Sequence, residues 1–247
     1  MLELYHWEPN AASARVLIAL NEKGLDYASR FVDLLAFEQH RPEFLKLSEG
    51  GQVPVLVRDG EPFTESSYIC EYLDEAYPEH PLMPQAPLAR WEARGWQKYV
   101  DDHLAAAVSE LAWKRYRPEG FDRAPEGAPT PERRHAWGEA VQGYSEERIA
   151  QAKERILLAV AKTEERLAKS DWLAGDAFSL ADIAVFSYAY YLPRLFPEAV
   201  RAEAAPRTAD WLRRVAERPG VKRALGSGRS GDPFAAAAPG PERVRWG

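Results

Sequence analysis

The chain has 247 residues, 46% hydrophobic and 28% charged, enough apolar material for one large core or two smaller ones. A formal charge of -6 and an isoelectric point near 5.5 exclude the overall basic field that holds nucleic acid or an anionic membrane surface. The start of the chain carries acidic and polar groups, no apolar run reaches spanning length, and Cys70 is the single cysteine, so neither a signal peptide, a membrane span nor an internal disulfide is expected, and a cytoplasmic protein is.

In chain order, LELY (2–5) reads as a short strand, and SARVLIALNEKG (13–24) as a helix with Ser13 at the N-cap and Gly24 at the C-terminal stop. YASRFVDL (27–34) follows as a second strand, which implies a parallel pair joined by a crossover helix. FEQHRPEFLKL (37–47) is expected to be irregular or weakly helical, because Pro42 cannot donate inside a helix. PVLV (54–57) and EPFT (61–64) flank an Asp59-Gly60 hairpin signal, and ESSYICEYLDEAY (65–77) has helical periodicity. Residues 1–78 thus form a βαβ-ββα domain, and the proline-rich stretch 79–88 is a linker.

Beyond the linker the composition turns to Ala, Glu, Arg, Leu and Trp, with helical patterns at 88–116, 145–169, 180–195 and 206–218. Residues 89–225 are therefore expected to be an all-helical domain, and the class is α+β with two domains. RPEGFDRAPEGAPTPERR (117–134) holds too much Pro and Gly for regular structure and reads as a surface loop; residues 226–247 read as an extended tail.

Several residues could carry chemistry. A helix N-terminus has unpaired N–H groups and a positive dipole end, so Glu65-Ser66 suits the amino-acid end of a zwitterion, although the same residues also serve as plain N-caps. Pro54 stands at the first position of its strand, where proline is tolerated. In FSLADIAVF (178–186), Ser179 and Asp182 have capping-box spacing, with Phe178 and Ile183 as a hydrophobic staple. The five histidines are scattered without ligand spacing, so no metal site is expected.

The βαβ-ββα module, with Val53-Pro54 ahead of a strand and Glu65-Ser66 ahead of a helix, joined by a proline-rich linker to a helical domain, resembles the glutathione transferase superfamily over nearly the whole chain. The resemblance implies a thioredoxin-like first domain, glutathione as cosubstrate and a two-fold homodimer. It also implies a cis Pro54, with the Val53 main chain pairing with the cysteinyl backbone of glutathione. Glu65 and Ser66 would meet its γ-glutamyl group, while His40 and Gln52 would take its glycyl end. Ser13 would stabilise the thiolate, with Asn10 as the alternative donor; no cysteine lies near residue 13 to form mixed disulfides, and Cys70 reads as a buried small hydrophobe.

FEQH (37–40), GQVP (51–54), TES (64–66), ICEYL (69–73) and SLADI (179–183), with the insert ahead of residue 145, look like the bacterial glutathione-dependent β-etherases that cleave lignin-derived aryl ethers. That implies a small aromatic electrophile against an aromatic wall, for which Trp7, Trp113, Tyr116, Tyr144 and Tyr188 are the candidates, most of them equally suited to core packing. Glu8 and Ala12 depart from the relatives' pattern close to the thiol. Alternatives are a binding or carrier module of the same fold without turnover, or another thiolate displacement such as dehalogenation.

Overall fold

The computed structural model describes residues 1–117 and 128–230. Strand β1 (Leu2–His6), helix α1 (Ala11–Glu22), strand β2 (Ala28–Phe31), the short helix α2 (Pro42–Leu45), strands β3 (Val55–Arg58) and β4 (Glu61–Phe63) and helix α3 (Ser66–Ala76) follow one another as the expected βαβ-ββα unit. The sheet order is β2-β1-β3-β4, parallel between β1 and β2 and antiparallel elsewhere. Between β3 and β4 the turn puts Asp59 and Gly60 at φ 53° and 90°, both left-handed as a two-residue hairpin of the primed type requires.

Side chains alternate across the sheet, and this builds two cores. Leu2, Leu4 and Leu56 face α1, α3 and the second domain, while Val55 and Val57 join Trp7, Val32, Leu34 and Phe44 on the opposite face. The linker is pinned to the first domain: the Asp74 carboxylate accepts from the N–H groups of Leu82 and Met83 and pairs with the buried Lys23 ammonium at 2.9 Å.

The second half is helical: α4 (Pro87–Tyr99), a π turn (Val100–Leu104), α5 (Ala105–Tyr116), α6 (Pro131–Gln142), α7 (Glu146–Leu167), α8 (Leu180–Ala189), α9 (Leu192–Leu195), α10 (Pro206–Ala216) and α11 (Pro219–Leu225). Helix α8 is buried on all sides, as its uniformly apolar sequence demands. Its capping box is formed, with Ser179 and Asp182 bonded to each other's backbone ends of the first turn. Among the described residues no helix is long and apolar enough to cross a membrane.

Two expectations need correction. Helix α1 starts at Ala11, because Asn10 takes the extended conformation of an N-cap (φ -130°, ψ 162°) and its carbonyl accepts from Ala14 N–H at 2.9 Å; Ser13 is therefore inside the first turn. Residues 131–134, expected in a loop, open helix α6. Pro131 occupies the first turn, where its missing N–H costs nothing, and Thr130 Oγ1 caps the Arg133 N–H at 3.2 Å. The stretch 37–47 is weakly helical as expected, with Pro42 at the first position of the four-residue α2. The remainder of the expected loop, 118–127, and the tail from 231 onward lie outside the described residues.

Candidate functional site

The sequence-assigned residues lie on three backbone features: the loop from Trp7 to Asn10 leading into α1, the segment around the Val53-Pro54 bond, at the same end of the sheet because Tyr5 stands opposite Val55, and the N-terminus of α3, tied to α1 by the Arg15–Ser67 hydrogen bond. The first places Ser13. Its hydroxyl is 3% exposed and its Oγ accepts from Trp7 N–H at 3.2 Å, so the O–H proton is directed to another acceptor. Asn10, also 3% exposed, has its own N–H on Glu8 O at 2.6 Å. A hydroxyl in the first turn of a helix, with the positive dipole end behind it, is suited to donating to a thiolate.

The loop holding Ser13 is clamped from the helical half. Glu8 is 2% exposed, and its carboxylate accepts the backbone N–H groups of Arg229 and Ser230 at 3.0 Å, while the Arg229 guanidinium lies over the Phe31 ring. The Tyr191 hydroxyl donates to Pro9 O at 3.2 Å. A buried carboxylate is costly unless it accepts such bonds, so Glu8, read from sequence as a departure from pattern, is the anchor for the beginning of the tail.

The second feature is the cis Val53-Pro54 peptide, with Pro54 buried and Gln52 and Val53 half-buried. Gln52 N–H donates to Ser48 Oγ at 3.1 Å. His40 lies beside this segment, 9% exposed, with its ring stacked on Phe37 at 5.8 Å. Neither ring nitrogen has a hydrogen-bond partner, and burial together with the charge of Arg133 pushes the imidazole pKa down to about 4.

At the third feature Glu65 adopts φ 64°, ψ 103°, a strained conformation for a residue with a side chain, and Ser66 begins α3. Glu65 makes no side-chain cap on α3, so the first-turn N–H groups remain directed outward, an arrangement that receives a carboxylate. Ser67 turns the other way. Its Oγ accepts from Arg15 and donates to Asp101, closing a network with the 2.8 Å ion pair between Arg15 and Asp101. Sequence reading missed Arg15, which is 1% exposed in the middle of an apolar helix face.

The aromatic candidates divide. Trp7 is 4% exposed and packs on Phe31 in the smaller core, Trp113 is 2% exposed with its indole N–H on Ala140 O at 2.8 Å and its ring edge-on to Trp137, and Tyr188 is 4% exposed beneath the Arg15 guanidinium. All three rings are thus buried and packed on several sides. Tyr116 and Tyr144 are half-buried, with the guanidinium groups of Arg115 and Arg148 over their rings. Cys70 is fully buried in α3, and burial pushes its thiol pKa up to about 12, which removes it as a nucleophile.

Comparison with known proteins gives the same assignment for both halves. A family model described as glutathione S-transferase, N-terminal domain, matches residues 4–81, and one described as glutathione S-transferase, C-terminal domain, matches residues 104–219. Protein LigF of Sphingobium sp. strain SYK-6 is 37% identical over 235 residues, covering 90% of this chain and 91% of its own length. The crystal structure of β-etherase LigF from that strain superimposes with a TM-score of 0.86 at 36% identity, over 91% of this chain and 98% of that one. Maleylacetoacetate isomerase of Pseudomonas aeruginosa is 31% identical over 222 residues, 87% of this chain and 90% of its own length.

Proposed function

The chain belongs to the glutathione S-transferase family, and from that membership we propose a β-etherase-like transferase that uses glutathione to cleave β-aryl ethers of aromatic ketones. The sulfur of the glutathione thiolate attacks the carbon that bears the aryloxy group, next to the ketone. The new C–S bond forms as the C–O bond breaks, the aryloxide leaves with the electron pair, and a proton from solvent makes it the phenol. The ketone activates the displaced carbon, so the protein has mainly to bind glutathione, keep its thiol ionised and align the ether.

In this reading Ser13 donates to the thiolate, with Asn10 as the alternative donor. Val53, ahead of cis Pro54, pairs its main chain with the cysteinyl unit, Glu65 and Ser66 hold the γ-glutamyl group, and His40 and Gln52 lie at the glycyl end. The wall candidates are the half-buried Tyr116 and Tyr144 and the more deeply buried Trp7, Trp113 and Tyr188. The observation that carries the reading is the Ser13 hydroxyl in the first turn of α1, accepting from Trp7 N–H with no cysteine in the neighbouring sequence. The experiment is release of phenol from a racemic β-aryl ether ketone with and without glutathione, followed by chiral separation of the remaining ether. Glutathione-dependent release supports ether cleavage. Stabilisation by glutathione without release leaves the thiol site and points to halides or to a carrier role.

A homodimer fits the exposed apolar side chains Tyr68 on α3 and Leu88 and Trp91 on α4, each about 70% exposed on helices tied together by the Glu71–Arg94 ion pair. A reducing cytoplasm suits a thiol cosubstrate.

A further inference from the structure

We propose that Arg133, carried by α6 of the helical half, supplies the fixed positive charge that recognises the glycyl carboxylate of glutathione at the His40 subsite. The inference rests on the glutathione reading and deepens it, because it takes a binding residue from a segment whose sequence gave no sign of regular structure.

Helix α6 presents one face to the loop that holds His40. Arg133 and Trp137 are one turn apart on that face, 8% and 1% exposed. The Trp137 ring meets Phe37 edge-on at 5.7 Å, and Phe37 in turn stacks on His40. The Arg133 Nη2 donates to Gly51 O at 3.3 Å, which places the guanidinium against the backbone that leads into Gln52, Val53 and Pro54. Gly51 itself is confined: at φ 61° a Cβ would lie 2.9 Å from Gln39 O and 3.1 Å from the His40 ring. The loop, the imidazole and the guanidinium therefore occupy one tightly packed place.

The chemistry of this place calls for an anion. His40 is more than nine-tenths buried, yet both of its ring nitrogens are without hydrogen-bond partners, a cost that a bound acceptor removes. Its depressed pKa leaves the imidazole uncharged near pH 7, so it can donate a hydrogen bond but cannot neutralise a carboxylate. The neighbouring cation on its own loop, Arg41, is paired with Glu38 at 2.9 Å and is largely exposed. Arg133 keeps its charge at any working pH and has a planar set of donors that fits a carboxylate. Neutral His40 and cationic Arg133 are thus complementary, one as a directional donor and the other as the counter-charge.

The test is calorimetric binding of glutathione and of its glycyl amide, in which the carboxylate is replaced by a carboxamide, to the wild-type protein, Arg133→Met and Arg133→Gln. Two variants are used so that at least one folded protein lacks the charge. The wild type is expected to bind glutathione roughly 10- to 100-fold more tightly than the amide, the range for a charged hydrogen-bonded pair. Either variant is expected to lose that preference, weakening glutathione binding while leaving the amide within about twofold. Equal weakening of both ligands makes Arg133 a packing residue and overturns the proposal, and so does a wild-type protein that does not distinguish them. If the wild type binds neither ligand, the glutathione reading falls as well; if it binds glutathione and the preference survives in the variants, only the role of Arg133 falls.

Discussion

Removing the Asp182 carboxylate tests how the helical half is held. Asp182 is fully buried, and its two oxygens accept from Leu173 N–H at 3.0 Å, Ser179 N–H at 3.0 Å and Trp211 Nε1–H at 2.9 Å. In Asp182→Ala these three N–H groups lose their acceptor, and each orphaned buried donor costs about 1–3 kcal/mol. Against this stands the cost of the buried charge. Burial, outweighing the donors, raises the carboxyl from 3.8 to about 6, so holding it ionised at pH 7 costs about 3 kcal/mol. The net loss at pH 7 is about 0–6 kcal/mol, at its upper end a large share of the 5–15 kcal/mol typical of a domain. The raised folded value also fixes a sign. Between about 4 and 6 the native state binds the proton that the unfolded chain has released, so this group's contribution is full below 4 and declines as pH rises through 6. Urea unfolding of wild type and Asp182→Ala at pH 7 and pH 5 should therefore show a gap that is larger at pH 5 by about 1 kcal/mol. A variant more stable than the wild type at pH 7, or a gap that narrows at pH 5, refutes the reasoning.

Ser13→Ala should lower kcat at neutral pH by roughly 10- to 100-fold with a smaller change in the glutathione KM, and should move the titration of the bound thiol upward by about 1–2 pH units; equal effects on kcat and KM, or none, remove the hydroxyl from the chemistry. His40 has the opposite linkage to Asp182: its folded pKa of about 4 lies below the usual 6.5, so stability falls as pH drops from 6.5 to 4, by at most about 3 kcal/mol. His40→Gln should lose that acid dependence, seen as a flatter urea midpoint over the same window, and an unchanged slope refutes it. Glu8→Ala releases the backbone at Arg229 and Ser230, so limited trypsin treatment should cut after Arg229 several-fold faster than in the wild type; an unchanged rate means that the Glu8 bonds do not hold the strap.

What the sequence made legible was local. The Asp59-Gly60 turn, the strand that precedes it and the capping box at Ser179 are each written within a few residues, and each formed as read. The start of α1 was misplaced by two residues because Asn10 and Ser13 are both good caps, and the choice between them depends on the loop Trp7–Asn10 being held by Tyr191 and Glu8. Helix α6 was missed for a related reason: its first residues belong to a Pro- and Gly-rich run, and its stability comes from burying Ala136, Trp137 and Ala140, contacts that only the tertiary structure supplies. Arg15 gave no signal at all, since a single charge among apolar helix residues looks like a surface position until Asp101, distant in sequence, is brought to it.

These long-range contacts share a direction. The loop carrying Ser13 is tied by Tyr191 and by the backbone of Arg229 and Ser230, the segment before cis Pro54 is tied by Arg133, and the N-terminus of α3 is tied through Ser67 to Asp101. Every loop assigned to glutathione is thus fixed by a residue of the helical half. Arg15 shows the energetic logic. Burial works against its charge, and the Asp101 carboxylate with smaller contributions beside it outweighs that effect and raises its pKa; the helical half thus supplies the partner for a charge that, buried without Asp101, would cost several kcal/mol. The geometry proposed for thiolate formation is therefore completed by the interface between the halves, and residues 1–78 alone carry the proposed donors without these contacts.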